Sequence, residues 1–410
     1  MTGTLLALGA ALLVGAAPAA PTTGWAPQGL AAQDDSAYGC IICHADKRRS
    51  FTLGVHSDYG IRCDDCHGGD PTAYEIDPAH RGRFLGTPTK LEIIELCSVC
   101  HADPNQMRQF GLAADQLAEF RTSRHGQLLL EQGNTDAPTC TDCHNAHLIL
   151  PPEDARSEVH PTNIPATCGR CHEDAQLMAK YGEPIDQYER YRTGAHGIGV
   201  FEKRNFASPT CIGCHGSHAA LPPAVTQIAD VCGRCHLLLE RAFYQGPHGG
   251  PARSGTLPGC LGCHSNHGTE RTAPEAIAAL CVRCHEPESA PALMGVELQE
   301  EVLRATEELH YAADAIEEMV EMGHEVADER FRYQSAVSEY NQIALVQHSL
   351  NFERLEDLGL AVRSNTGIIR ATAEVHAEEQ WEHKLLLIPV WFLTLAVIVL
   401  AWFKLREEQP

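Results

Sequence analysis

One five-residue pattern, Cys-x-x-Cys-His, constrains this chain more than any other feature, because it occurs nine times between residues 40 and 285. The nine copies use all eighteen cysteines, so none is left for another purpose. A chain with so many fixed clusters in so short a stretch must fold around whatever the clusters bind. The copies are Cys40–His44, Cys63–His67, Cys97–His101, Cys140–His144, Cys168–His172, Cys211–His215, Cys232–His236, Cys260–His264 and Cys281–His285.

The spacing indicates covalent attachment of c-type haem. Two thiols three residues apart lie on one helical turn and can each add to a vinyl group of one porphyrin, while the next histidine binds the iron. A disulfide framework does not need a histidine after every second cysteine. A zinc site draws four ligands from paired half-motifs, and a thioredoxin-type motif occurs once rather than nine times. We therefore expect nine covalently bound haem c groups.

Each motif supplies two thioether cysteines and one proximal iron ligand. The predicted attachment residues are Cys40, Cys43, Cys63, Cys66, Cys97, Cys100, Cys140, Cys143, Cys168, Cys171, Cys211, Cys214, Cys232, Cys235, Cys260, Cys263, Cys281 and Cys284. The predicted proximal ligands are His44, His67, His101, His144, His172, His215, His236, His264 and His285.

The haem region repeats with a two-motif unit. A histidine precedes the first motif, a second histidine follows that motif by three residues, and the other motif comes next. Four units give eight motifs, and the Cys40 motif stands before them. The leading histidines are His56, His125, His196 and His248, and the trailing ones are His147, His218 and His267, whereas the first unit has Asp70 in the trailing position.

These seven histidines are predicted distal iron ligands, because recurrence at one repeat position is not expected of bystanders. His80 and His160 complete a set of nine, although neither has a repeat equivalent, and for these two a bystander role stays open. Nine irons and nine further histidines within residues 1–290 suggest bis-histidine ligation throughout. Met107 and Met178 cannot serve nine irons, which favours low-potential haems over Met/His ligation.

The region from Cys40 to His285 offers about 27 residues for each haem, too few for separate protein cores. We therefore expect a mainly α fold with extensive loops, in which porphyrins form the interior of a multihaem cytochrome domain. The formal net charge is −23, and residues 286–384 alone hold 22 acidic and 7 basic side chains. Nucleic acid is therefore excluded as a partner on charge.

The sequence predicts five segments. Residues 1–32 are a signal peptide and linker, although no Lys or Arg precedes the apolar run. Residues 33–290 form the nine-haem domain, and 291–384 form an acidic amphipathic hairpin or bundle. Residues 385–403 carry no charge and are long enough to form a transmembrane helix. Residues 404–410, which begin with Lys404, form a cytoplasmic tail by the positive-inside rule.

An apolar seam marks the first helix of the acidic region. Its members are spaced alternately four and three residues apart, which is typical of a helix packed along one narrow stripe. A break is predicted near residues 348–351, with Gly359 as an alternative. His310, His324, His348 and His376 are interpreted as ordinary helix histidines. The seam comprises Leu298, Val302, Ala305, Leu309, Ala312, Ile316, Met319, Gly323 and Val326.

The phrases HGQLLLEQGNTDAPTCTDCHNAH and IPATCGRCH resemble the multihaem c-type cytochromes of anaerobic respiration. The haem-then-helices order is distantly similar to octahaem hydroxylamine oxidoreductase and cytochrome c nitrite reductase. Nine motifs exceed the eight of the octahaem enzymes. None has the lysine that nitrite reductases of that family use in place of one motif histidine. The resemblance implies electron transfer between a quinone-linked membrane module and a periplasmic or extracellular acceptor.

Three functions follow from these features. The first is an electron carrier without its own substrate site, anchored in the inner membrane with its haem domain on the periplasmic side. The second is a multihaem oxidoreductase acting on a small nitrogen or sulfur compound, which needs one five-coordinate haem. The third is that the acidic helices serve mainly to assemble a membrane complex.

Overall fold

The predicted mainly α fold with a long apolar C-terminal helix is confirmed by the computed structural model, which describes residues 38–270 and 272–407. No strand occurs in these ranges. The predicted signal peptide, residues 1–32, lies outside the described residues. The chain divides visibly into a region of short helices and a region of three long ones.

Short helices and loops make up residues 38–289, as expected where glycine and proline are frequent and clusters follow one another closely. The α-helices are Gly39–Cys43, Ala45–Phe51, Val55–Asp58, Cys63–His67, Ile76–Ala79, Lys90–His101, Pro104–Met107, Gln116–Thr122, Arg124–Gly126, Cys140–His144, Ile164–His172, Ala175–Ala179, Gln187–Thr193, Ala195–Phe201, Cys211–His215, Ile228–Gly233, Leu237–Gln245, Gly249–Arg253 and Ile277–Cys281. Single turns of 3-10 helix occupy Arg108–Phe110, Val225–Gln227, Gly259–Gly262 and Pro274–Ala276, and Gln127–Glu131 is a π turn.

Three long helices follow and pack together as a bundle. They are α1 (Ala290–Glu321), α2 (Ala327–Ser349) and α3 (Phe352–Glu407). The predicted seam faces the other two helices from Leu298 to Met319, and its seven members on α1 are all buried. The last two predicted members lie beyond the end of α1: Gly323 is exposed in the turn, and Val326 is buried just before α2. The 4,3 spacing therefore predicted the buried stripe of α1 correctly.

Both turns of the bundle use left-handed backbone. Gly323 has φ 84° after α1, a conformation that glycine adopts without steric cost. Leu350 has φ 51° after α2, and the Asn351 side chain accepts a hydrogen bond from the Arg354 amide at 3.0 Å. The break predicted near residues 348–351 is therefore present, whereas Gly359 lies inside α3. The missing Cβ at Gly359 leaves room for the carboxylate of Glu301.

The third helix runs without interruption from the bundle into the apolar segment. The segment from Leu385 to Phe403 is exposed, with none of its apolar residues packed inside the protein. Its length and composition are sufficient to cross a bilayer. This helix could therefore serve as a membrane anchor.

Candidate haem sites

All nine motifs begin on a helical turn, which brings their two cysteines to one side. We number the motifs and their sites 1 to 9 in chain order. In motif 4 the Thr139 amide donates to the Asp142 carboxylate at 2.7 Å, and in motif 2 the Arg62 amide donates to Asp65 at the same distance. The aspartate before the second cysteine thus caps the turn of its own motif.

Every motif histidine faces one histidine from outside the motifs. The centroids of the two rings in each pair are 6.0–6.3 Å apart. From site 1 to site 9 the pairs are His44–His80, His67–His147, His101–His56, His144–His218, His172–His125, His215–His267, His236–His196, His264–His348 and His285–His248.

This common separation fits one metal ion held between two imidazoles. Two metal–nitrogen bonds of about 2.0 Å and two ring radii of roughly 1.1 Å add up to about 6.2 Å. Rings in direct contact would be closer, as His324 and His376 are at 3.9 Å in the bundle. The residues at all nine sites therefore fit a six-coordinate haem iron with two axial histidines.

The two repeat positions have different roles. The leading histidine of a unit faces the second motif of the same unit, as His125 faces His172. The trailing histidine faces the first motif of the preceding unit, as His218 faces His144. Each unit therefore completes one site of its own and one site of its neighbour.

At the two ends of the repeat series, another histidine must take the place of the trailing histidine. Site 1 has no trailing histidine, because Asp70 holds that position and caps the turn at Thr72 with bonds of 2.9 and 2.7 Å. His80 faces His44 instead, on a loop that the Asp70 amide fixes by donating to the Ala79 carbonyl at 2.9 Å. At the other end no fifth unit follows, and His348 of the bundle faces His264 of site 8.

The backbone contacts repeat in the same way. In the first three units, the amide of the residue before the leading histidine donates to a carbonyl just after the next trailing histidine: Val55 to Ile149, Arg124 to Ala220 and Ala195 to Gly268, at 2.9–3.1 Å. In the fourth unit Gly246 packs so closely on Ser349 that an added Cβ would lie 2.8 Å from the Ser349 carbonyl oxygen. The turn at His348 and Ser349 therefore docks like a further repeat unit.

The hydrogen bonds of Nδ1, the ring nitrogen that does not bind iron, support these histidines as iron ligands. The Nδ1 atoms of His67, His215 and His264 lie 3.1–3.3 Å from the backbone carbonyls of Gly86, Leu221 and Glu270. Nδ1 of His348 lies 2.5 Å from the Ala344 carbonyl. A carbonyl only accepts, so Nδ1 carries the proton and leaves Nε2 free to bind iron.

His160 differs from the predicted distal ligands. Its Nδ1 accepts the Thr162 amide at 3.3 Å and lies 2.7 Å from the Thr162 hydroxyl, so in the neutral ring the proton is on Nε2. Its ring packs edge-on against Phe206 at 5.5 Å, and the nine pairs of the described residues do not include it. The His160 carbonyl accepts the amides that begin the helix Ile164–His172, which is a structural role.

Sequence reasoning interpreted His348 as an ordinary helix histidine and missed its position at site 8. The signal available was the repeat itself. Four first motifs require four trailing histidines from following units, and only three such histidines occur.

Burial favours the neutral imidazole, the state that can bind iron, at several of the paired histidines. Burial and then the neighbouring His172 lower the pKa of His125 to about 4. Burial also lowers the pKa of His56, and the same holds for His267 and His348.

Motifs that follow one another in the sequence also lie next to one another in space. Each motif places one cysteine close enough to a cysteine of the next motif for one sulfur to shift the pKa of the other. The thiol pairs are Cys40 with Cys63, Cys66 with Cys100, Cys97 with Cys140, Cys143 with Cys168, Cys168 with Cys211, Cys214 with Cys232, Cys232 with Cys260, and Cys263 with Cys281. Consecutive motifs therefore lie close together in space, in the order of the chain from site 1 to site 9.

Comparison with known families agrees with these features. Residues 55–173, which contain motifs 2 to 5, match the family described as cytochrome c3. Residues 250–290, which contain motifs 8 and 9, match the family described as doubled CXXCH motif. No curated protein matches the chain.

The chain is therefore a multihaem c-type cytochrome, as the sequence predicted. Covalent haem c and electron transfer follow from that class. The matched segments cover six of the nine motifs, and neither of them reaches His348.

Proposed function

We propose that this cytochrome is a nine-haem electron conduit. It relays electrons between a quinone-linked redox module of the membrane and a periplasmic or extracellular acceptor. A haem iron supplies a one-electron couple when it is bound at each site. The protein's part is to hold nine such groups in a fixed series and to control what reaches them.

The observation that carries this proposal is the uniform pairing of histidine rings. Each of the nine motif histidines faces one further histidine at 6.0–6.3 Å. A haem iron held between the two imidazoles of a pair would have no coordination position left for a substrate. This supports a carrier over an oxidoreductase, which needs an open iron with polar groups above it.

The proximity of consecutive sites supports a relay. Sites 2 to 8 each have a neighbour on both sides, which leaves sites 1 and 9 as the ends. Site 9 lies against the bundle, where Gly295 of α1 packs so closely that an added Cβ would meet Cys281 Sγ. The bundle therefore covers the sites 8 and 9, while site 1 lies at the far end of the series.

We also propose that residues 385–403 anchor the protein in the inner membrane, with the haem domain on the periplasmic side and the C-terminus in the cytoplasm. Haem attachment outside the cytoplasm and the positive charges of Lys404 and Arg406 support this orientation. From Phe352 to Lys384, α3 has 33 residues, which is about 50 Å of helix. The membrane-side partner must therefore project well above the bilayer to reach site 8 or 9.

An electron paramagnetic resonance spectrum of the oxidised, detergent-solubilised protein tests the conduit. Haem content is measured on the same sample. Nine low-spin haems per chain are expected, because every iron has two imidazole ligands. A high-spin signal equivalent to one haem would contradict the conduit and point to an oxidoreductase. Fewer than nine haems would contradict the site count.

A further inference from the structure

We propose that Thr269 is a positioning residue for site 7, where its side chain fixes the ring of the distal histidine His196 and lowers the reduction potential of the haem held there. This inference rests on the proposed conduit, since it assigns a residue that tunes one site of the series. Three features of the described residues support it: a hydrogen bond, the residues at equivalent repeat positions, and the backbone that places the hydroxyl.

The side chain of Thr269 contacts one of the two ring nitrogens of His196. Its Oγ1 atom is 3.2 Å from Nδ1 of His196, and both residues are half-buried. The centroid of the His196 ring is 6.2 Å from that of His236, the separation at which one iron fits between two imidazoles. Because Nε2 must be unprotonated to bind iron, Nδ1 carries the proton and donates it to the hydroxyl oxygen.

This hydrogen bond affects both the orientation and the basicity of His196. It holds the ring at one angle, and the acceptor at Nδ1 makes Nε2 a stronger electron donor to a metal. A more basic axial ligand stabilises ferric over ferrous iron, so the reduction potential of that haem falls. In the proposed conduit, electrons cross site 7 on their way between sites 6 and 8, so Thr269 acts on a step inside the series.

The other leading histidines have no comparable partner in the described part of the chain, where His196 is the one leading histidine whose ring forms a hydrogen bond with the protein. Thr269 stands two residues after the trailing histidine of its unit, and the equivalent residues of the two preceding units are Ile149 and Ala220. Neither of these side chains can accept a hydrogen bond. The hydroxyl is therefore a feature of this junction and not of the repeat.

The backbone at this junction also differs from the other two. There the carbonyl of Ile149 or Ala220 accepts the amide before the leading histidine, whereas here the Ala195 amide donates to the carbonyl of Gly268, one residue earlier, at 3.1 Å. Thr269 itself has φ 44°, in the left-handed region that a β-branched residue rarely adopts. Strain of this kind persists where the surrounding structure imposes it, and it occurs often at functional sites.

The surroundings of Thr269 hold it from two sides. Its amide donates to the Ser265 carbonyl at 3.2 Å, directly after motif 8, and the preceding Gly268 is buried against Gly194. His267, with φ 58°, faces the motif histidine of site 6. Residues 267–269 therefore supply the distal ligand of site 6 and orient the distal ligand of site 7.

The test uses the full-length, haem-loaded protein in detergent. Thr269→Val and Thr269→Ala remove the hydroxyl with and without a branched Cβ, whereas Thr269→Ser keeps it. Thr162→Val is the matched control, because the Thr162 hydroxyl lies 2.7 Å from Nδ1 of His160, which faces no motif histidine. Reduction potentials are measured by a redox titration followed by electron paramagnetic resonance, and site 7 is identified as the low-spin signal that His196→Ala removes.

Thr269→Val and Thr269→Ala are each expected to shift the ferric–ferrous equilibrium at site 7 about tenfold towards the ferrous state, which is about 59 mV for one electron. Thr269→Ser should restore most of the original potential, and Thr162→Val should leave site 7 unchanged. An unchanged potential in Thr269→Val or Thr269→Ala would overturn the proposal. An equal shift in Thr269→Ser would also overturn it, because packing rather than the hydroxyl would then set the potential, as would an equal shift in Thr162→Val.

The spin states of the unmodified protein separate this proposal from the conduit. If all nine haems are low-spin and Thr269→Val leaves the potential of site 7 unchanged, the positioning role is wrong and the conduit stands. If one haem at another site is high-spin while Thr269→Val shifts site 7 as expected, the conduit is wrong and the positioning role stands.

Discussion

Replacement of His348 by alanine tests the least expected assignment of the structure. His348 lies on α2 of the bundle, 84 positions after the motif histidine that it faces. His348→Ala removes the second axial ligand of site 8 and leaves both thioethers and His264 in place. Haem is therefore expected to stay attached while one iron loses an imidazole.

The size of the effect follows from the number of sites. One iron in nine should change from low-spin to high-spin, and the other eight should keep their spectra. Electron paramagnetic resonance of the oxidised protein, scaled to total haem, measures that fraction. Added imidazole should restore the low-spin signal, because the alanine leaves a space of the size of the lost ring.

His160→Ala is the matched control, because His160 is a buried histidine that the sequence predicted as a ligand and that the structure does not pair with a motif histidine. It should leave all nine haems low-spin, since its Nε2 carries the proton and faces no motif histidine. An unchanged spectrum in His348→Ala, or a high-spin haem in His160→Ala, would refute the assignment of these two residues.

Three further predictions concern the helices and the repeat contacts. A stop codon at Leu385 should release a fully haem-loaded protein into the soluble fraction, and continued sedimentation with membranes would contradict the anchor. Glu301→Ala should lower the free energy of unfolding of the bundle by about 2–3 kcal/mol, because the buried carboxylate pairs with Arg363, and Glu301→Gln should cost less; circular dichroism during thermal unfolding measures both. Gly194→Ala should disturb sites 6 and 7, because its Cβ would overlap the Gly268 carbonyl oxygen, whereas Gly250→Ala meets open space and should leave all haem spectra unchanged.

Much of this architecture could be predicted from residue types and spacing. The motif fixes the attachment points, because its chemistry requires two thiols and an imidazole at set positions. The 4,3 spacing from Leu298 to Met319 predicts the buried face of α1, since a helix repeats its faces in that way. Both signals are local in the chain, and both are visible without a structure.

The distal histidines were harder to predict because their partners are distant in sequence. Repetition predicted His125, His196 and His218 as distal ligands, but residue counting treated His160 like His80, since both are lone histidines between motifs. Their surroundings separate them: His80 faces His44, whereas His160 packs against Phe206 and its Nδ1 accepts a hydrogen bond from the Thr162 amide. His348 was missed because it lies among acidic helices, where a histidine on the surface is the ordinary expectation.

The crossing of ligands between units has a consequence for how such a cytochrome can change in length. Each unit lends its trailing histidine to the unit before it and receives one from the unit after it. A whole unit could therefore be inserted or deleted between two others and change the number of haems by two, with every iron still held by two imidazoles. Only the ends are specific to this chain, where His80 and His348 take the places of neighbours that do not exist. The interior units are therefore interchangeable, whereas each end of the series depends on one histidine of its own.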